Sequence, residues 1–366
     1  MKSVGVVGIN LNKISSMNGH RALTASGNNF GNMLFTKAAY QQVKNPVHVN
    51  FKPNPEHIKN KCSSLLIPAA NWINPNSDWG DLANSIEESG LQCTVVGLGT
   101  QLPSIKDVSS ISDGTKRLLN VLSHQSNKIG VRGDFTAEVL SKLGINNVEV
   151  LGCPSIYMSG GAPSLRKINL ESNLRLGIGP TRYMLKSSDL LERNDKQRQL
   201  YQFAIRQASS IYYQSEQFEI DVLSKDSIDN QQLEQASAYY GIYGKNELEG
   251  LILEKGKYHT SVDGWLADVR KDDVYIGTRI HGAIAATLAG TMPILITHDN
   301  RTRELAEFMG VPNIPISDFN LEMLYDINSI VKSLDYDNFL NRSRLNLSKI
   351  IKFYNDNSLE HNLGQV

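Results

Sequence analysis

Along the chain, short apolar runs rich in Val, Ile and Leu alternate with longer segments whose apolar positions recur every three or four residues. A short apolar run bounded by turn residues predicts a buried strand, and a period near 3.6 predicts a helix lying over it. In the first half this pattern predicts strands at Val4–Ile9, Ser64–Pro68, Thr94–Leu98, Lys128–Val131 and Val148–Leu151. Helices are predicted between them at Gly31–Val43, Asp81–Ser89, Gly114–His124 and Asp134–Leu143, the last closed by Gly144. Periodicity disappears between Met158 and Asn173, where Gly, Pro and Ser concentrate, and this predicts a linker.

A second series follows. It has a strand at 174–179, a long polar helix at Ser188–Ala208, a strand at 211–214, and helices at Gln231–Tyr240 and Val262–Val269. Then come a strand at Val274–Gly277, a helix of small residues at His281–Ala289, a strand at Pro293–Thr297 and a capped helix at Asn300–Met309. Two helical segments fill Leu321–Tyr354.

Strand and helix in alternation define an α/β chain of parallel sheets covered by helices. At 366 residues the chain exceeds the roughly 300 residues that one core usually reaches, so two lobes are expected. We place them at 1–160 and 172–320, with a helical tail at 321–366 that can pack back across both. Open parallel sheets bind ligands at the carboxyl ends of their strands, so the site is expected there, between the lobes.

Charge narrows the ligand. Lys plus Arg number 37 and Asp plus Glu number 37, so the formal net charge is zero, and no polybasic run occurs. Nucleic acids and anionic membranes select a cationic surplus, which makes both poor partners. The opening MKSVGVVGIN reads as a first strand and not as a signal segment, and no window nears the ~18 consecutive apolar residues of a membrane span. The expected location is the cytoplasm, with an encounter at the inner face of the membrane left open. Cys62, Cys93 and Cys153 are widely spaced and lack a Cys-x-x-Cys pair, which predicts neither a disulfide frame nor a zinc site. Asp272 with Asp273 and Asp335 with Asp337 lack companion ligands and read as solvated loop residues, so no metal is expected.

The segment DDVYIGTRIHGAIAATLAG, residues 272–290, runs from a buried strand straight into a helix. Thr278, Arg279 and His281 stand at that junction, where a helix N-terminus and a guanidinium fork suit phosphate or carboxylate. Gly282 would permit close approach of a ligand, and His281 is the natural proton carrier. The structural alternative pairs Arg279 with a carboxylate and makes His281 a core residue. In SGNNFGNMLF, 26–35, Asn29 can cap a helix and Gly31 permits a tight turn. In GVRGDFTAEVL, 130–140, Arg132 stands at a strand end and Asp134 reads as an N-cap; Arg182 in GIGPTRYM holds a similar strand-end position. In THDNRTREL, 297–305, Asp299 or Asn300 caps the next helix with Glu304 in its first turn, a structural assignment. GLGTQ at 97–101 fails the spacing of a dinucleotide fingerprint, and no nucleophile elbow, zincin or Walker A sequence occurs.

With these residues in view, the chain resembles the polysaccharide pyruvyl transferase family over most of its length. The resemblance rests on Asn29-x-Gly31, VGLGTQ at 96–101, VRGDFTAEVLSKLG at 131–144, GCPSIY at 152–157 and GTRIHGAIAATLAGTMPILITHDNRTRELAEFMGVP at 277–312. It implies two facing Rossmann-like lobes of the GT-B kind, with the acceptor on the first and the donor on the second. It also implies transfer of pyruvate from phosphoenolpyruvate to a sugar of a surface polysaccharide or its precursor, as a ketal. On that resemblance Arg279 and His281 meet the donor, with Arg182 and Arg132 as further candidates; no cofactor is needed beyond the donor substrate. The family usually has Asp after Asn-x-Gly, whereas this chain has Asn32, which removes a carboxylate from the acceptor side.

Two alternatives stay open at this stage. A GT-B glycosyltransferase using a nucleotide sugar commonly carries a Glu where this chain has Ala285, and a non-catalytic sugar-binding protein of the same fold would have no need of Arg279 and His281. The acceptor sugar, its linkage to lipid and the oligomeric state are not legible here.

Overall fold

The computed structural model describes residues 2–181 and 191–364. The first lobe holds β1 (Ser3–Val7), β2 (Pro46–Val49), β3 (Cys62–Pro68), β4 (Cys93–Leu98), β5 (Ile129–Val131) and β6 (Val148–Val150), in the order β2-β1-β3-β4-β5-β6. The second holds β7 (Leu176–Gly179), β8 (Ser210–Tyr212), β9 (Gly256–Lys257), β10 (Val274–Gly277), β11 (Met292–Thr297) and β12 (Asn313–Pro315), in the order β12-β11-β10-β7-β8-β9. Every pairing within both sheets is parallel. Read from its far edge, the second sheet runs 9-8-7-10-11-12, which is the dinucleotide-fold order with its reversal between β7 and β10. The molecule is two Rossmann-like lobes.

The central strands are apolar on both faces because helices cover both: β4, β7 and β10 are buried at every position. This is why the apolar runs located them. The edge strands β2, β9 and β12 carry the short sequences PVHV, GK and NIP, have no such run, and escape the pattern. The polar helix of the second lobe spans Leu191–Gln207, inside the predicted 188–208. The tail has three helical pieces where two are predicted: a 3₁₀ turn Leu321–Asp326 and helices Ile327–Ser333 and Tyr336–Asp356.

The helix Tyr336–Asp356 touches both lobes. Arg342 donates to the Glu307 carbonyl of the second at 2.6 Å, while Tyr354 donates to Gln42 Oε1 of the first at 2.8 Å. One apolar cluster lies wholly within the first lobe, from Val7 and Leu65 to Leu140. A larger one passes through both, joining Phe30, Met33 and Leu34 to Tyr157, Ala283 and Ile284. The small residues of the helix Ile280–Ala289 make this possible, since Ala and Gly let it sit flush between neighbours with all but one position buried.

Asp272 departs from its predicted role. It is fully buried and accepts the Tyr212 hydroxyl at 2.5 Å, in space left by Gly177 of β7, where a Cβ would lie 2.5 Å from its Oδ2. Burial raises the Asp272 carboxyl above its usual range, and the Tyr212 hydrogen bond only partly opposes this. Asp335 is not free in a loop either: it caps the last helix by accepting from Asn338 N at 2.9 Å.

Candidate functional site

The loops that leave β3, β5, β8, β10 and β11 converge between the lobes. They close a small cavity lined by Asn29, Asn32, Asn71, Arg132, Gln214, Thr278, Arg279, His281, His298 and Arg301. It opens into a wider basin of about 610 Å³ bounded by Asn71, Thr100, Gln101, Phe135, Thr181 and Ser215. Strand carboxyl ends supply both walls, as the topology requires.

Arg279 holds the N-cap position of the helix Ile280–Ala289. Its guanidinium donates to Glu216 Oε1 at 2.7 Å and to the Ser215 hydroxyl. The other carboxylate oxygen of Glu216 accepts from the amides of Gln214 and Ser215, each at 2.9 Å. Burial works to raise the Glu216 carboxyl, but Arg279 and those two amides outweigh it, and the group is held below its usual range. The structural alternative raised for Arg279 is therefore real, although the residue also lines the cavity. Thr278, buried behind it, donates to the Thr181 hydroxyl at 3.0 Å and so ties β10 to the segment leaving β7.

Arg132, at the end of β5, is 5% exposed and is no solvated surface cation. Its Nη1 donates to Asn71 Oδ1 at 2.7 Å, while its Nε has no partner and no carboxylate lies within ion-pair distance among the described residues. Burial and the neighbouring Arg301 pull its pKa down. Gly99 makes room for it: a Cβ there would lie 2.8 Å from Arg132 Cδ. Arg301 lines the same cavity but is occupied by Asp299 Oδ2, which its Nε reaches at 2.9 Å. Of the three guanidiniums that line the cavity among the described residues, Arg279 and Arg301 have a carboxylate partner and Arg132 has none there.

His281 is buried, with its ring 5.6 Å from that of Phe35 and its Nε2 3.9 Å from the Cys153 sulfur. Burial, then Arg132 and Arg279, push its pKa down to about 3, so the imidazole is neutral. From the first lobe, Phe30 N donates to the Gln214 carbonyl at 2.9 Å, clamping the start of the helix Gly31–Gln42 against the second lobe. A Cβ at Gly31 would lie 3.0 Å from Asn29 Oδ1, Gln214 Oε1 and His281 Nδ1 alike. Glycine there is what lets three polar groups from two lobes meet.

Some predicted placements differ. Asn29 is not the N-cap; Phe30 is, and Asn29 Oδ1 instead accepts from Gly31 N at 2.9 Å in a turn just before the helix. Asn32 lines the cavity, with its amide anchored on the Ser26 carbonyl at 2.9 Å. Gly282 does not open space for a ligand: a side chain there would overlap the Tyr275 hydroxyl, so the glycine serves the packing of Tyr275. Asp134 is the first residue of its helix, the N-cap being Gly133. Asp299 does cap the next helix, in a capping box with Thr302. Glu304 lies beyond that helix's first turn. Arg182 lies outside the described residues.

Glu216, His298, Arg301, Asn71 and Gln214 are the residues that sequence reasoning missed. His298 and Arg301 follow the carboxyl end of β11, so the rule that picked out Arg279 at β10 applies to them equally. Glu216 sits among polar residues with nothing in the local pattern to mark a buried acid.

Among the described residues, no group of three or more His, Cys, Asp or Glu is placed to hold a metal. Cys62, Cys93 and Cys153 are free and buried, and no described helix is long and apolar enough to cross a membrane.

Fold and cavity together define a two-lobed α/β protein with a cationic pocket and imidazoles at its strand ends. A profile of the polysaccharide pyruvyl transferase family matches residues 29–300, and the chain belongs to that family, which makes it a transferase. The match takes in Asn29 and Arg132 as well as Arg279, His281 and His298. No curated protein matches the chain. Among solved structures, it is similar to UDP-N-acetylglucosamine 2-epimerase from Rickettsia bellii, at 12% identity and a TM-score of 0.46, over 96% of this chain and 95% of that one. It is also similar to the trehalose-6-phosphate synthase OtsA, at 12% identity and a TM-score of 0.42, over 96% of each chain.

Proposed function

We propose that the protein moves the pyruvyl group of phosphoenolpyruvate onto two hydroxyls of a saccharide, forming a pyruvate ketal on a surface polysaccharide or its precursor. The observation that carries this reading is Arg132, a buried guanidinium that faces the cavity with no carboxylate at ion-pair distance among the described residues. A buried charge is costly unless it is paired, so such a group is matched to an anion that arrives with the substrate. The donor's phosphate and carboxylate meet that need. Arg279 and the N-terminus of its helix add donors from the second lobe, and Arg182 is assigned to the same clamp.

The reaction needs a proton on the donor's methylene carbon, which leaves C2 electrophilic. A sugar hydroxyl adds to C2 and loses its proton, the bond from C2 to the phosphate oxygen breaks, and the second hydroxyl closes the ketal as its proton goes to the departing phosphate. His281 is assigned to proton transfer. Kept neutral by burial and by Arg132 and Arg279, it gains basicity once the donor's negative charge offsets the two guanidiniums. The basin beside it offers amides and hydroxyls from Asn71, Thr100 and Gln101 with the ring of Phe135, which suits an uncharged sugar. Catalytic geometry is thus assembled from both lobes, with Arg132 supplied by the first.

A nucleotide-sugar reading is less favoured, because Ala285, the position where a ribose-binding acid would stand, is fully buried and carries no polar group. Calorimetry decides between the two. Phosphoenolpyruvate should bind saturably to the wild-type protein and lose most of its affinity in Arg132→Met. Binding of a uridine-diphosphate sugar without phosphoenolpyruvate binding would overturn the proposal.

A further inference from the structure

Two imidazoles line the cavity, and one of them has a carboxylate set against it. His281 faces the guanidiniums of Arg132 and Arg279, which disfavour a charged ring. His298 stands just past β11 with its side chain 1% exposed. Its Nε2 lies 3.6 Å from Asp299 Oδ2, and its Nδ1 lies 3.4 Å from the Ile296 carbonyl oxygen. Each ring nitrogen thus has an oxygen acceptor on its side, the carboxylate at ion-pair distance, and an imidazolium suits both. Asp299 is a carboxylate throughout the neutral range: burial works to raise it, but Arg301, His298 and the Thr302 amide hold it down to about 2. Arg301 shares the same Asp299 oxygen and lines the cavity too, so Asp299 serves two cations. From the facing elements, Arg132 at β5 and Arg279 with His281 at β10 are the other titratable or charged groups among the described residues that line the same cavity.

One imidazole set against a carboxylate and another set against guanidiniums is an arrangement suited to an acid and a base in one site. We propose that His298, backed by Asp299, is the protonated residue of the resting site and delivers the proton to the donor's methylene carbon, while neutral His281 accepts the proton of the attacking hydroxyl. This rests on the pyruvyl-transfer reading above. The balance is as follows: a proton leaves His298 and the carbon–carbon double bond supplies the electron pair for the new C–H bond. The hydroxyl oxygen bonds C2 and its proton moves to His281; the C2–O bond to phosphate then breaks with its electron pair on phosphate. The second hydroxyl's proton leaves with the phosphate. After turnover the proton from His298 sits in the new methyl group and His281 holds the proton of the attacking hydroxyl, so His298 regains a proton from solvent and His281 loses one to it.

The test is nuclear magnetic resonance of the full chain with isotopically labelled histidine, the two rings assigned from His298→Gln and His281→Gln. At pH 6 His298 should show imidazolium shifts and His281 neutral ones. In Asp299→Asn, which keeps a residue competent to cap the helix, the charged fraction of His298 should drop at least about threefold. A neutral His298 at pH 6, or one indifferent to Asp299→Asn, overturns the proposal. Calorimetry separates this from the donor reading. Failure of phosphoenolpyruvate to bind the wild-type protein sinks the donor assignment while leaving the charge states measured. If it binds, His298→Gln should keep the affinity within about threefold; a loss of tenfold or more makes His298 a binding cation and overturns the acid role.

Discussion

The Glu216 carboxylate grips the Arg279 guanidinium at 2.7 Å while holding the amides of Gln214 and Ser215 at 2.9 Å, all behind a surface that leaves the acid 3% exposed. The same Gln214 receives Phe30 N from the other lobe through its carbonyl. One buried acid therefore fixes Arg279 and the loop that joins the lobes. Glu216→Ala should destabilise the fold by about 3–5 kcal/mol, the usual effect of leaving one partner of a buried pair uncompensated. Glu216→Gln should cost less, since it can still accept hydrogen bonds. Because the folded-state pKa is depressed, the pair's contribution is present above the unfolded value near pH 4.5 and is lost as pH falls through the folded value. Urea unfolding of wild type and Glu216→Gln at pH 7 and pH 4 checks this: the gap between the two should be smaller at the lower pH.

Arg132→Met should act with opposite signs on binding and stability. Donor or phosphate affinity should fall by about 10- to 100-fold, the scale of a charged hydrogen bond or two. The unliganded fold should be unchanged or more stable, because a buried cation without an ion pair has been replaced by an apolar chain of similar reach. Calorimetry with inorganic phosphate and denaturant melts measure the two effects separately. Equal losses in both would mean that Arg132 is structural.

Glu304 bridges the lobes, accepting Thr136 Oγ1 at 3.2 Å, and burial, with Asp134 adding to it, raises its pKa to about 7. A raised carboxyl pKa means the folded state holds a proton that the unfolded state has released. Stability should therefore decline as pH rises from about 4.5 towards 7. The effect is at most about 2 kcal/mol once solvent screening is allowed for. Glu304→Gln should match wild type at pH 5 and exceed it at pH 8 in chemical denaturation.

Tyr275 and Gly282 should behave as a coupled pair. Gly282→Ala must displace the Tyr275 ring or the helix, for a cost of about 1–3 kcal/mol. Tyr275→Phe removes a hydroxyl that has no partner among the described residues, so alone it should be neutral or stabilising, and it should rescue much of the Gly282→Ala loss. A double-mutant cycle showing simple additivity would contradict the packing described.

How far the sequence was legible follows from burial. Strands β4, β7 and β10 are covered on both faces, so their apolar runs stand out; β9 is two residues at a sheet edge and leaves no trace. Arg279, His281 and Arg132 were visible because a cation or imidazole directly after an apolar run lands at a strand's carboxyl end. Applied to THDNRTREL, the same rule would have found His298 and Arg301. The cap formed by Asp299 explained that segment well enough to hide them, although one turn both caps a helix and lines a cavity. Glu216 and Asp272 were out of reach for another reason. Acids that end up buried carry no local mark, because their partners, Arg279 and Tyr212, lie 63 and 60 residues away in sequence.

The helix Tyr336–Asp356 sets an order in time as well as in space. Phe353 presses on Gly130 in β5, Tyr354 reaches Gln42, and Asn362 donates to the Val43 carbonyl at 3.0 Å, so the first lobe is sealed by residues made after the second lobe's sheet. During synthesis its sheet must wait, with an apolar flank uncovered, while the whole second lobe emerges. The nascent first lobe should therefore be the stage most in need of chaperones, and the most exposed to proteolysis.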